Sequence, residues 1–589
     1  MRQASGTPSL RALLAALIGL APMPAQSPLS PASATAAGDR AFVVERTADA
    51  LALVDLGRRE VTGSVAVGSR PECAAIRPGS GEVFVACRFA SRIDVVDPED
   101  MRVVRSIPCG PEPVGLCFSR DGRTLAVALS QADRVAFLDA DSGKPWKQTA
   151  VGRDPRGLAL HADGERLLIG AGLGREIAIL SMRTGDVLDR RSLDRGNLVR
   201  GVAFSPDGKY ALAAHVISHD EVTPTQIERS WIHGNGVSVC DLRRPGHRVT
   251  VLLDRLFEGA ANPWGLAFSA DGERLLVALA GVHEIAILDW RKLAALVDAT
   301  PLDRVKALER DTEALTKAGI LTRAPCGGLG PRDLAALPDG RALVPCYFSD
   351  RLMVLDDRTG ARRAAIALGP EIEPGPRRRG EQLFQDGRLS FQGWFSCMSC
   401  HQEDATMDGL NWDLTNDGVG NPKNAKSLHD AFDTPPAMWT GVRADLEAAT
   451  AAGQRFLGFL PDPRNQEALV AFLSAPERAP NPFRGRDPAA EARGLEVFEQ
   501  ARCGACHPPP AFTDLRRHDL GLCEPGDPSP RFDTPSLREC YRTAPYLHDG
   551  RAPTLRSIFT EHDPLGLHGR TKGLRPEQLD DLIHYLKTL

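Results

Sequence analysis

One phrase keeps returning through the first 370 residues, and it leaves few folds open. A turn with Pro and Gly leads into a short apolar strand, an Asp-Gly turn and two further alternating strands. It reads EPVGLCFSRDGRTLAVALSQADRVAFLDADSG over 112–143, DPRGLALHADGERLLIGAGLGREIAILSMRTG over 154–185 and NPWGLAFSADGERLLVALAGVHEIAILD over 262–289. Pro71, Pro113 and Pro155 open successive copies 42 residues apart, and Pro263 and Pro331 open later ones. A period near 40 with four short strands per unit is that of a β-propeller blade. Asp121-Gly122, Asp207-Gly208, Asp271-Gly272 and Asp339-Gly340 supply the hairpin turns, because Gly accepts positive φ there. Six copies begin near 70, 112, 154, 199, 262 and 330. The opening fragment, 41–68, holds strands without a leading one and is expected to complete a seventh blade and close the ring.

The repeats resemble the YVTN-type propeller family over residues 41 to about 370, a likeness that speaks to architecture and not to activity. Two departures from the period are long: His215 to Gly236, after a second strand, and Arg291 to Gly330, before the last blade. Links after second strands and links between blades emerge on one propeller face. The long loops therefore suggest that face as the docking site for the rest of the chain. Cys87 and Cys346 end second strands while Cys109 and Cys326 lie in interblade links, which predicts disulfides Cys87–Cys109 and Cys326–Cys346 on that face. His215, His219, Trp231 and His233 in the first insertion read as polar surface, with a metal site as the sharper alternative.

Beyond a Pro- and Arg-rich linker, 369–380, the chain changes character. Cys397-Met398-Ser399-Cys400-His401 recurs as Cys503-Gly504-Ala505-Cys506-His507. Two thiols spaced CxxC can add across the vinyl groups of a haem, and the next histidine ligates its iron, so two such pentads predict two covalent haem c groups. Spacing alone also allows both pairs to converge on one zinc. A short amphipathic helix precedes each pentad, and the closing RPEQLDDLIHYLKTL is helical by its apolar spacing. The expected organisation is a signal peptide and linker (1–37), a seven-bladed all-β propeller (41–370) and two mainly α haem domains (377–480 and 486–589).

The apolar run Leu10–Ala21 beside Arg2 and Arg11 reads as an export signal, too short to span a bilayer, so a periplasmic or otherwise exported location is expected. That compartment suits haem attachment and permits disulfides. A formal net charge of −5 gives no basic footprint for nucleic acid.

From about Arg377 to Leu589 the chain resembles the bacterial di-haem cytochrome c peroxidases and their MauG-type relatives, most clearly in GEQLFQDGRLS before SCMSCH and in DTPSLRECYRTAPYLHDGRAPTLRSIF. The resemblance implies a reactive first haem and an electron-relaying second one. Trp439 stands where the family has a tryptophan between the haems, and Asn424, Thr543 and Pro545 match the ligands of a calcium ion. It implies an electron-donor protein, a small cytochrome or cupredoxin, and peroxide or a protein as substrate. Two departures stand out. Ala449 and, without gaps, Phe459 occupy the places of the family's glutamine and glutamate over the reactive haem, with Glu447 and Gln454 as the nearest substitutes. The family's distal methionine falls at His562, which with His507 implies bis-histidine ligation of the second haem, His568 being the alternative; His548 is expected to hold a propionate or its own loop. Three readings follow: a di-haem oxidoreductase, an electron-transfer or redox-sensing protein without turnover, and a propeller-based dehydrogenase or lactonase with the haems as electron exit.

Overall fold

The structure, a computed structural model, describes residues 27–220, 232–414, 418, 420–458 and 462–589. Expectations for the export signal, Trp231 and Phe459 fall outside these residues. Seven four-stranded antiparallel sheets follow one another over 31–66, 71–108, 113–150, 155–192, 196–252, 263–325 and 335–367, and are blades one to seven. At the outer edge, as in Glu60–Ala66 and Arg102–Pro108, the strands alternate exposed and half-buried residues. The second and third strands, such as Val83–Cys87 and Arg134–Asp139, are buried almost throughout because each sheet is covered on both faces by its neighbours.

Blade one needs correction. Its leading strand is Pro31–Ala37, inside the stretch expected to be linker. PASATAA carries no apolar alternation, yet the strand pairs with Arg40–Glu45 and buries its small side chains. All four strands of blade one are therefore contiguous, and the ring closes by side-chain packing of Ala34, Val43 and Val54 against Leu343, Leu352 and Val354 of blade seven.

No disulfide forms: all thirteen cysteines are free. Cys87 packs towards blade one and Cys109 towards blade three, on opposite faces of their sheet. Cys326 and Cys346 do meet, with sulfurs 3.9 Å apart. The second long insertion also lies elsewhere than expected. Helix α1 (Trp290–Ala299) and two short helical turns connect the third and fourth strands of blade six, and antiparallel alternation puts that connection on the face opposite the interblade links. The first insertion instead lengthens strands Tyr210–Ser218 and His233–Asp241 into a nine-residue pair, burying His215 and His233.

Helix α2 (Pro376–Gln385) begins inside the presumed linker, its Pro at the first helical position where no amide donor is needed. It packs on α4 (Pro463–Leu473), with α3 (Leu446–Phe456) before it. The second haem domain repeats the plan with α5 (Pro488–Gln500), α6 (Leu555–Thr560) and α7 (Pro576–Thr588). One device recurs. A methyl group on Gly380 of α2 would sit 1.9 Å from the Ala468 carbonyl of α4, and one on Gly494 of α5 2.1 Å from the Asp581 carbonyl of α7. Only glycine lets the two helix backbones approach so closely. Four residues on, Phe384 and Phe498 then enter the respective cores. Among the described residues, no helix is long and apolar enough to cross a membrane.

Candidate di-haem site

Both pentads open onto one cavity of ≈ 520 Å³, lined by Cys397, Cys400 and His401 at one end and Cys503, Cys506 and His507 at the other. Each pentad is a single tight turn, Met398–His401 and Cys503–Ala505, that brings its two sulfurs and its imidazole to one side. The histidines are oriented alike: Nδ1 of His401 donates to the Thr406 carbonyl (3.4 Å) and Nδ1 of His507 to the Phe512 carbonyl (2.9 Å). That bond, five residues downstream in both, leaves Nε2 free to bind a metal and fixes its aim. Burial lowers the pKa of both rings, keeping them neutral. Burial also pushes the Cys397 thiol up to about 12 and the Cys503 thiol up to about 11. Among the described residues, the cluster able to gather three metal ligands is Cys506, Asp514 and His518, so the two CxxC pairs do not converge on one zinc. Their separation, free sulfurs and free Nε2 atoms fit two haems.

Opposite His507 the structure places His568, not His562. The two rings lie 6.5 Å apart between centroids, at 34°. Two imidazoles binding one metal from opposite sides at about 2.0–2.1 Å each have centroids roughly 6 Å apart, so the pair fits an iron between them. His568 Nδ1 is buried without a hydrogen-bond partner, and burial, with His507 nearby, holds its pKa down to about 4. His562 falls outside the cavity lining, beyond the end of α6, where counting along a helix no longer applies.

The far wall of the first end is α3. Ala449, Thr450, Ala452, Gly453 and Gln454 line it, while Glu447 does not. Gln454 Oε1 is buried and unpartnered, and its Nε2 donates to Gln466. The acids that line the cavity are committed elsewhere, Asp430 to Arg478 and Arg538 and Asp533 to Lys426. His429 is also no ligand, because Nδ1 pairs with Glu539 and Nε2 donates to the Asp404 carbonyl.

Trp439 lines the same cavity; its Nε1 donates to the Asn424 carbonyl (2.7 Å), and the Lys426 ammonium stands 4.9 Å from its ring centre. The Asn424 side chain meets the Pro545 carbonyl at 2.6 Å, and its Oδ1 is buried without a partner. Thr543 lines the cavity beside them. An internal likeness missed in the sequence places His548 where the first domain has Trp439. The segments around them, Ala437–Arg443 and Tyr546–Ala552, each close with the same antiparallel bridge. His548 stacks on Phe532 at 3.8 Å and pairs with Asp527, so it holds its own loop.

The propeller face carrying the interblade links is occupied by the first haem domain. Asn235 Nδ2 donates to the Trp394 carbonyl (2.9 Å), Asn262 bonds Ser396 and Ser399, and Ile232 joins the apolar shell of Trp394, Phe395 and Trp412. His233, neutral because burial lowers its pKa to about 3, has Nε2 3.4 Å from Cys400 Sγ. These contacts join residues 134 or more positions apart, and no local pattern marks them.

A model of the di-haem cytochrome c peroxidase family matches residues 378–468. The gamma subunit of hydrazine synthase from Kuenenia stuttgartiensis is 32% identical over 271 residues, covering 36% of this chain and 77% of that protein. The methylamine utilization protein MauG of Methylophilus methylotrophus is 26% identical over 270 residues, covering 36% and 81%. A solved structure of Kuenenia stuttgartiensis hydrazine synthase aligns with a TM-score of 0.54 at 26% identity, covering 56% of this chain and 97% of the matched one.

Proposed function

The chain belongs to the di-haem cytochrome c peroxidase family, and on that premise we propose an exported di-haem c-type oxidoreductase whose two haem ends do different work. Two haems held there would supply one-electron transfer, and the small side chains of α3 leave space on the side of the first that faces away from His401. Cys397 and Cys400 hold one group and Cys503 and Cys506 the other, with His401 and His507 as ligands. His568 closes the second from the opposite side, and bis-histidine ligation lowers its potential relative to a His/Met pair. Trp439, steadied by the Asn424 carbonyl and Lys426, keeps an aromatic ring in the shared cavity for electron passage. Asn424 Oδ1 with the carbonyls of Thr543 and Pro545 offers an all-oxygen set suited to calcium. A small cytochrome or cupredoxin is the proposed electron donor.

The observation that carries this reading is the contrast between the facing pair His507–His568 and the small-residue wall of α3. That wall also favours a second reading, electron transfer without turnover, because cleavage of an O–O bond needs a group to shuttle its proton and α3 presents no carboxylate. Mixing the reduced holoprotein with peroxide and an electron donor separates the two. Sustained peroxide consumption supports the enzyme; a single stoichiometric oxidation supports the relay.

A further inference from the structure

The residues that follow the two histidines differ sharply: Gln402-Glu403-Asp404 after His401, Pro508-Pro509-Pro510 after His507. Only the first triplet reaches the propeller. Glu403 accepts from Arg156 Nη1 (2.7 Å) and Arg200 Nη1 (3.0 Å), which stand on the first strands of blades four and five. Its side chain is 1% exposed. Asp404 accepts from Arg88 Nη2 at 3.2 Å and lies 3.6 Å from Arg542 of the second haem domain. Arg200 lies flat on Trp264, its guanidinium 3.8 Å from the ring centre, so it has little room to withdraw. Glu112 and Asp154 complete the cluster, giving four guanidinium groups against four carboxylates; Arg88, Arg156, Arg200, Glu112 and Glu403 are buried, and Asp154, Asp404 and Arg542 nearly so.

We propose that Arg88, Arg156 and Arg200 are positioning residues through which the propeller sets the orientation of His401 and the electrostatic field at the first haem, with a smaller effect on the second, whose domain joins the cluster through Arg542 and not through a residue beside His507. This rests on the di-haem reading above. Glu403 is two residues from His401, and the intervening Gln402 is held in a left-handed conformation (φ 51) with its amide on the Met407 carbonyl. The loop therefore has no slack to take up a displacement. Charges buried this deeply are weakly screened, so removing one acts at full strength on the nearest redox centre.

The test is the midpoint potential of each haem in the oxidised and reduced holoprotein, followed by optical spectroscopy. A ferric haem carries one more positive charge than a ferrous one. Glu403→Gln is therefore expected to raise the first haem's potential and Arg200→Gln to lower it, the double variant returning towards the parent, with the second haem moved less in every case. Shifts of the same sign in both single variants, equal shifts in both haems, or no shift overturn the proposal. Haem staining after denaturation keeps the premise separate: a parent protein without two covalent haems refutes the di-haem reading itself. If the single charge changes prevent folding, Glu403→Asp keeps the charge and shortens the reach. It must alter the first haem's ligand-field bands alone, and an unchanged spectrum overturns the proposal.

Discussion

The two haem domains are built on one plan and finished differently. Each has a glycine-packed helix pair, a CxxCH turn and a histidine steadied by a carbonyl five residues on. On the far side, α3 presents Ala449, Thr450 and Gly453 where α6 presents Ile558 and Phe559, joined by His568. The first domain is anchored to the propeller through Glu403, held by Arg156 and Arg200, whereas the second reaches the same cluster through Arg542, on Glu112 and Asp404, and keeps its Arg493–Asp581 pair at the surface. The end proposed as open is thus the end whose histidine lies two residues from a buried ion pair, and an imidazole held in that way would be kept from swinging.

The sharpest way to break this comparison is at the closing ligand. His568→Ala should convert the second haem completely from low spin to a high-spin or exchangeable form in the oxidised spectrum, while His562→Ala leaves it unchanged; the reverse result would restore His562 as the ligand. Anchoring comes next. Glu403→Ala leaves the Arg200 guanidinium without its carboxylate in the interior, while Arg156 keeps Asp154, and should cost about 3–5 kcal/mol in denaturant unfolding. Asp581→Ala at the partly exposed pair should cost about 1 kcal/mol or less. Thr450→Phe makes the first wall resemble the second, and should weaken binding of cyanide to the oxidised protein by about tenfold or more through lost space (about 1.4 kcal/mol or more). Equal binding would show that α3 does not face the open position.

A further expected effect is in pH. Burial pushes the carboxyls of Asp254, on the propeller against the first haem domain, and Asp408, within that domain, up to about 7. Both would be ionised in the unfolded chain from about pH 4 upward, where the folded protein still holds their protons. The contribution of these two groups to stability should therefore fall between about pH 4 and 7 and level off above, by linkage, against the opposite contribution of the buried neutral His233 and His568. Asp254→Asn and Asp408→Asn should flatten that slope in thermal melts, and an unaltered slope would assign it elsewhere.

Much of this was legible in the chain. The blades were, because Pro and Asp-Gly recur at a fixed period, and the haem turns were, because both thiols and the ligand are local. Pro31–Ala37 was not, since a strand of Ala, Ser and Thr acquires its burial from its neighbours and not from its own pattern. His568 lies in an irregular segment after α6, where position along the chain no longer predicts direction. The Glu403 anchor joins residues 203 and 247 positions apart, a distance over which only the folded ring brings charge to charge.

The manner in which the ring closes bears on how the molecule is put together. No strand is exchanged between its first and last blades, so the seam holds by side-chain packing and by a few polar contacts, Asp333 accepting from the Ala34 amide and Asp350 from the Ser30 amide. The haem region bridges that seam: Arg378 donates to the Tyr347 carbonyl of blade seven (2.6 Å), and Glu477 pairs with Arg70 beside blade two. Thioether formation needs the cysteines accessible, so biogenesis has a natural order in which cofactor loading precedes the locking of the ring. A chain that failed to receive its first haem would also lack the staple across its own seam, and quality control could recognise it as an unclosed propeller.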